Sequence, residues 1–130
     1  MSDPYLSVVM PAYNAERTLR RSYDEIPHDW VDDVILVDDG SKDATRDILR
    51  ELDGKNGVRA VFQPRNMGKG AAVWTGMRAS TGDIVLIQDA DFEYDIDDYD
   101  ALLEPILQHK AAFVLGSRSL GLDDWKVRKY

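Results

Sequence analysis

The sequence predicts an α/β fold built on a mostly parallel sheet with helices on both faces. Short apolar runs alternate with stretches of helical period, in the order βαβαβαβαβ. Such an order gives parallel strands joined by helical crossovers. Two of the runs, 34–37 and 84–87, are apolar throughout, and each leads into carboxylates: Asp38 and Asp39 after the first, Asp89 and Asp91 after the second. In open sheets of this kind ligands bind outside the carboxyl ends of the strands, and these acids fall there.

The elements follow in turn. Residues 6–10 are an apolar run closed by Pro11, hence a strand. Asn14 is placed to cap a helix over 15–26, with Leu19, Tyr23 and Ile26 on one face and Pro27 as its stop. Residues 34–37 form the second strand. A helix over about 43–52 carries Ala44, Ile48 and Leu52 in register. Residues 58–63 are the third strand. Gly68-Lys69-Gly70 opens a helix reaching Ser80, and its small residues Ala71, Ala72, Gly76 and Ala79 suit close packing on a sheet. The turn Thr81-Gly82-Asp83 leads into the fourth strand, 84–88. Residues 99–107 read as a helix and 113–115 as a fifth strand. The tail, 116–130, has no strong period and no clean stop. The expectation is one domain over 1–130, incomplete at its C-terminus.

Composition narrows the function. The chain has 130 residues with 24 acidic side chains against 16 Lys and Arg, a formal charge of -8. A nucleic-acid surface would be basic, so no nucleic-acid partner is expected. There is no cysteine, which excludes disulfides and thiolate metal sites. No signal peptide and no membrane-length apolar run is visible. The oligomeric state is not legible.

Five blocks carry chemistry. Asp89-Ala90-Asp91 can turn both carboxylates toward one hard cation, Mg2+ or Mn2+, with Glu93 as a third ligand. The plain alternative is a solvated acid cluster continued by Asp95, Asp97 and Asp98. In Asp38-Asp39-Gly40-Ser41 a carboxylate can accept from a base N–H or ribose hydroxyls, or the block is only a turn with Ser41 or Asp43 capping the next helix. In Pro11-Ala12-Tyr13-Asn14, Tyr13 can lie against a base, backbone groups around Ala12 can bind it, and Glu16 can reach the same pocket. A Pro-Tyr turn with an Asn cap is the alternative. Asn66-Met67-Gly68-Lys69-Gly70 is a glycine-rich helix start, where anions bind well. It is not a Walker A loop, since Gly70 stands where Ser or Thr would be needed. Ser117-Arg118 offers a guanidinium to a phosphate, or a surface arginine. His28 and His109 read as surface residues.

Taken together, Val8-Val9-Met10-Pro11-Ala12-Tyr13-Asn14, Val37-Asp38-Asp39-Gly40-Ser41, Asn66-Met67-Gly68-Lys69-Gly70, Gln88-Asp89-Ala90-Asp91 and Gly116-Ser117-Arg118 resemble the family 2 glycosyltransferases of GT-A (Rossmann-like) fold. The closer likeness is to the dolichol-phosphate mannosyltransferase and polyprenyl-phosphate glycosyltransferase branch. The blocks run in that family's order over nearly the whole chain. The resemblance implies a donor site in which Pro11, Tyr13 and Glu16 line the nucleotide pocket and Asp39 recognises the base. It implies that Asp89 and Asp91, a DXD motif, hold manganese or magnesium on the donor diphosphate. Glu93 stands where close relatives often have Gln. Arg118 matches a residue near the acceptor phosphate, and Asp91 and Arg118 become the candidate catalytic residues. The implied activity is metal-dependent, inverting transfer of a sugar from a UDP- or GDP-sugar to a polyprenyl (dolichyl or undecaprenyl) phosphate. The implied location is the cytoplasm, at the membrane face in a longer parent protein. Such catalytic domains continue well past a fifth strand, so this chain reads as the donor-binding part, expected to transfer poorly by itself.

Three rival readings stand beside this one. A catalytically silent sugar-nucleotide-binding module would share the donor blocks. A phosphoacceptor receiver needs an acid pair after strand one and an Asp after strand three, where this chain has Pro11-Ala12-Tyr13-Asn14 and Gln63-Pro64. A haloacid-dehalogenase-type phosphatase places Asp-x-Asp after its first strand, not its fourth.

Overall fold

The structure is a computed structural model that describes residues 5–90, together with the backbone of two strands at 114–117 and 126–129. Its contacts divide the chain into two units, Met1–Glu93 and Tyr94–Tyr130.

The first unit contains β1 (Leu6–Ala12), α1 (Leu19–Asp24), β2 (Asp33–Asp38), α2 (Thr45–Leu52), β3 (Val58–Phe62), α3 (Lys69–Ala79) and β4 (Ile84–Ile87). The four strands form one parallel sheet in the order β3-β2-β1-β4. Val9 pairs with Ile35 of β2 and with Ile87 of β4. The chain thus builds outward from β1 to β3 and then crosses to β1's other side, which makes the β1/β4 boundary a topological switch point.

Strand alternation divides the side chains between two layers. Val9, Ile35, Val37 and Ala72 form one core cluster, with Val61, Ala79 and Val85 packed against it. That layer lies under α3. Gly76 is what lets α3 approach: a Cβ there would stand 2.3 Å from Val9 Cγ1 and 3.2 Å from Val37 Cγ2. The opposite face carries Val8, Met10, Leu36 and Asp38. Arg46 of α2 covers it, 3.8 Å from Asp38 Oδ2 and stacked over Phe62, Asp38's partner on β3. Helices therefore flank both faces, as expected from the sequence.

The amino end of the sheet is closed by a polar network. Buried Asp33 accepts from Ser7 Oγ at 3.0 Å, from Arg59 Nη2 at 3.0 Å and from Thr81 N–H and Oγ1 at 3.2 Å. One carboxylate thus joins β1, β2, β3 and the turn before β4, with its lone pairs satisfied as burial requires.

Three expectations change. Pro11 does not close β1; it lies within it, opposite Val37. Pairing with β4 has ended at Val9, so the missing N–H falls where only one neighbour needs the ladder. Asn14 does not cap α1, whose helical turns begin only at Leu19. It adopts φ 47 and turns its side chain to the next loop. The strand expected at 113–115 is β5 (Val114–Ser117), which pairs antiparallel with β6 (Lys126–Lys129) in a two-stranded sheet. Lys-Val-Arg-Lys offers one β-branched residue among three cations, so sequence propensity gave no sign of β6. The helix expected over 99–107 lies outside the described residues. Among those described, no helix is long and apolar enough to cross a membrane.

Candidate active site

The loops leaving β1, β2 and β4, and the loop entering α3, line one cleft of about 280 Å³ at the carboxyl edge of the sheet. Pro11, Ala12, Tyr13, Asp39, Lys69, Asp89 and Ala90 all border it. The cleft brings the Pro-Tyr block, Asp39, the glycine-rich helix start and the acid turn together, and Glu16 is not among its lining residues. Asn66, Gly68, Ala15 and Ala72 complete its walls.

The adjacent acids Asp38 and Asp39 have different tasks. Asp38, the last residue of β2, points to the α2 side and is fully buried. Its carboxylate accepts from Gly40 N–H at 3.1 Å and Ser41 N–H at 3.2 Å, closing its own turn. Asp39 points the other way, into the cleft. Its Oδ1 accepts from Met67 N–H at 2.9 Å and its Oδ2 from Gly68 N–H at 3.2 Å. Gly40 makes that meeting possible: at φ +76, a Cβ on it would stand 2.4 Å from Asn66 N and 2.5 Å from Arg65 C. The two glycine-bearing blocks are therefore one structure, with Asp39 as the anchor of the loop that starts α3. A carboxylate holding two N–H groups still has lone pairs for a hydroxyl or base N–H.

The wall between β1 and α2 is built by reciprocal bonding of two loops. Asn14 N–H donates to Ser41 Oγ at 2.9 Å, and Lys42 N–H donates back to Asn14 Oδ1 at 2.9 Å. Ala15 N–H donates to the buried Thr45 hydroxyl at 2.8 Å. Glu16 belongs to this seam: its Oε2 accepts Ala44 N–H at 3.0 Å, at the start of α2. Asp43 answers it, accepting from Glu16 N–H at 3.3 Å and Thr45 N–H at 2.9 Å. Burial opposes charge on Asp43, but the hydrogen bonds from Thr45 and from the Glu16 backbone outweigh it and hold its carboxyl below the ordinary aspartate value. The seam leaves Tyr13 at the cleft and 47% exposed, an aromatic residue available for stacking.

The acid turn after β4 borders the same cleft. Asp89 is drawn in, with its side chain 15% exposed, and its carboxylate meets the Lys69 ammonium at 2.6 and 2.7 Å. Lys69 is the first residue of α3 and its side chain is 62% exposed. The position thus already attracts a cation, which is the property a metal ligand needs. Among the described residues no three His, Cys, Asp or Glu side chains converge as a metal site. Asp91, Glu93 and Arg118 lie outside the described residues.

Sequence reading missed the seam residues Ser41 and Thr45 as wall-builders, and Ala15 and Ala72 as lining. Only their small size, which leaves room beside the strand ends, distinguished the alanines. Thr45 carried no signal beyond its place near a helix start.

The family model described as Glycosyl transferase family 2 matches residues 7–130. The chain is 34% identical to a dolichyl-phosphate beta-glucosyltransferase of Trichomonas vaginalis, over 96% of this chain and 43% of that one. It is 31% identical to the UDP-N-acetylglucosamine–dolichyl-phosphate N-acetylglucosaminyltransferase of Methanococcus voltae, over 91% of this chain and 53% of that one. It therefore spans about half the length, or less, of these relatives. A mycobacterial protein of known crystal structure superposes with a TM-score of 0.67 at 33% identity, covering 81% of this chain and 37% of that one. With a strand order, a cleft and a family match over nearly its whole length in agreement, the chain belongs to glycosyl transferase family 2.

Proposed function

We propose that this chain is the donor-binding part of an inverting glycosyltransferase that moves a sugar from a UDP- or GDP-sugar to a polyprenyl phosphate. The observation that carries this reading is the single cleft in which Tyr13, Asp39, Lys69 and Asp89 meet at the switch point of the sheet. Its lining offers two kinds of group: an aromatic ring with a carboxylate, and an ammonium with a carboxylate. A nucleoside diphosphate has the same division. Tyr13 would stack on the base and Asp39 would accept from the base or ribose. Lys69 would turn from Asp89 to the diphosphate. Glu16 would act through the seam, by holding the Tyr13 loop, instead of touching the nucleotide.

A divalent cation, manganese or magnesium, fits the carboxylate chemistry at Asp89, where an ammonium now stands. Asp91 and Glu93 would complete its ligands. When bound it supplies positive charge that stabilises the departing nucleoside diphosphate. The acceptor half of the reaction follows from its chemistry. A phosphate oxygen of the lipid forms the new bond to the anomeric carbon as the bond to the diphosphate breaks. That oxygen is already anionic, so no general base is needed. Arg118 would pair with the acceptor phosphate, and a parent protein would work at the cytoplasmic face of a membrane. The dolichyl phosphate in both relatives' names supports this acceptor class. Those names specify glucose and N-acetylglucosamine, which favours these sugars over mannose as the first donors to try.

The test is a transfer assay with UDP- and GDP-sugars and a short polyprenyl phosphate, run beside the longer Trichomonas relative. The expected result is donor binding by this chain with transfer far slower than the relative's, because placing two reactants lowers a barrier by about 7–11 kcal/mol. Donor binding with no transfer at all would mark a sugar-nucleotide-binding module. Binding of neither nucleotide would overturn the reading.

A further inference from the structure

The residues on either side of Asp89 are both tied to one residue of α1. Gln88 Nε2 donates to the Ser22 carbonyl at 3.1 Å, and Ser22 Oγ donates to the Ala90 carbonyl at 2.8 Å. Gln88 N–H also donates to Val9 O at 2.9 Å, extending the β1–β4 ladder past the end of β4. Ser22 is 2% exposed, and Gln88 and Ala90 are 1% exposed. A buried amide is unfavourable unless its hydrogen bonds are made, and an apolar side chain in the place of Gln88 would take this donor from the buried Ser22 carbonyl. What the amide adds is direction. The same holds for Ser22: inside a helix its hydroxyl would ordinarily bond back along the helix, yet here it reaches a carbonyl 68 residues away.

We propose that Ser22 and Gln88 are positioning residues for Asp89. Together they tie down the residues before and after it, Gln88 through its side-chain amide and Ala90 through its carbonyl, and so fix where the Asp89 carboxylate enters the cleft. The inference rests on the nucleotide-sugar reading above and adds to it a fixed partner for the acid turn.

The variants are Ser22→Ala and Gln88→Met, the latter keeping length and shape while removing the amide. Each is compared with the unaltered chain in three measurements: thermal midpoint, affinity for uridine, and affinity for UDP and GDP with Mn2+. Amide exchange at residues 88–90 gives a ligand-free readout. Loss of a buried hydrogen bond at the turn should weaken the diphosphate affinity by roughly tenfold, leave uridine binding unchanged, and speed exchange at 89 and 90 while exchange in β2 stays the same. A purely structural role would lower the thermal midpoint with the diphosphate-to-uridine ratio preserved, and that result overturns the proposal. If Ser22→Ala does not fold, Gln88→Met decides by the same ratio. Failure of the unaltered chain to bind any diphosphate would instead overturn the donor-site reading, and the positioning role with it.

Discussion

Lys69 and Asp89 form a two-point ion pair inside the cleft, with the ammonium 2.6 Å from one carboxylate oxygen and 2.7 Å from the other. They are 20 residues apart and come from different places in the chain, the first turn of α3 and the turn after β4. Lys69 is much the more exposed of the two, so its ammonium has room to turn toward a ligand that brings its own charge, while Asp89 is held in the cleft wall. A mobile cation beside a fixed anion is a useful arrangement where an anionic ligand must be admitted and neutralised.

The first prediction follows from that pair. Lys69→Gln should weaken binding of a nucleoside diphosphate by about 1.5–3 kcal/mol, the range for a hydrogen bond to a charged group. Binding of the nucleoside alone should be unaffected. Calorimetry with UDP and with uridine checks both halves.

Asp39 should matter twice. It anchors Met67 and Gly68 and it borders the cleft. Asp39→Ala leaves two backbone donors of the α3 loop without their acceptor, at a cost to stability of about 1–3 kcal/mol. It should also weaken nucleoside monophosphate binding with chelator present, since Asp39 lies on a different strand end from Asp89. Urea denaturation and a metal-free titration measure the two effects separately. Normal nucleotide binding by a destabilised variant would confine Asp39 to the anchor.

Gly76→Ala should destabilise the first unit by about 1–3 kcal/mol, the usual range for overpacking. The new methyl would meet Val9 Cγ1 at 2.3 Å, and a β-branched valine has little freedom to turn aside. Val9→Ala should recover part of the loss in the double variant. An additive double-variant result in denaturant melts would show that α3 shifts bodily instead.

The seam gives a pH dependence. Asp43 has its carboxyl held below the ordinary value of 3.8 in the folded chain. A depressed folded value means stability present in full above the unfolded value and lost as pH falls through the folded one. Asp43→Asn should therefore lower the melting midpoint at neutral pH. The gap from the unaltered chain should then close as pH falls below about 4. A constant gap across that range would remove ionisation of Asp43 from the account.

The sheet was legible because its strands are unbroken apolar runs between turn residues, and because their order with the helices admits few topologies. The start of α1 was not. Asn14 satisfies the rule for a helix cap, but its side chain serves Lys42 across the seam, a contact 28 residues distant. Asp39 was legible as a site residue and not as the anchor of the Met67 loop, because nothing local announces which backbone donors a carboxylate will meet. Pairing Asp38 with Asp39 as acids sharing one edge was too simple: alternation along β2 sends them to opposite sides. Ser22 escaped notice altogether. A serine inside a helix carries no motif, and its meaning lies in a carbonyl 68 residues further on.

The proposed function requires this cleft to take a nucleoside diphosphate with a divalent cation at Asp89. The most direct measurement is calorimetric titration of the 130-residue chain with UDP and with GDP, each with Mn2+ and again with chelator. At least one nucleotide should bind, Mn2+ should tighten it, and Asp89→Asn should remove the difference while binding of the nucleoside persists. Equal affinity with Mn2+ and with chelator would contradict it.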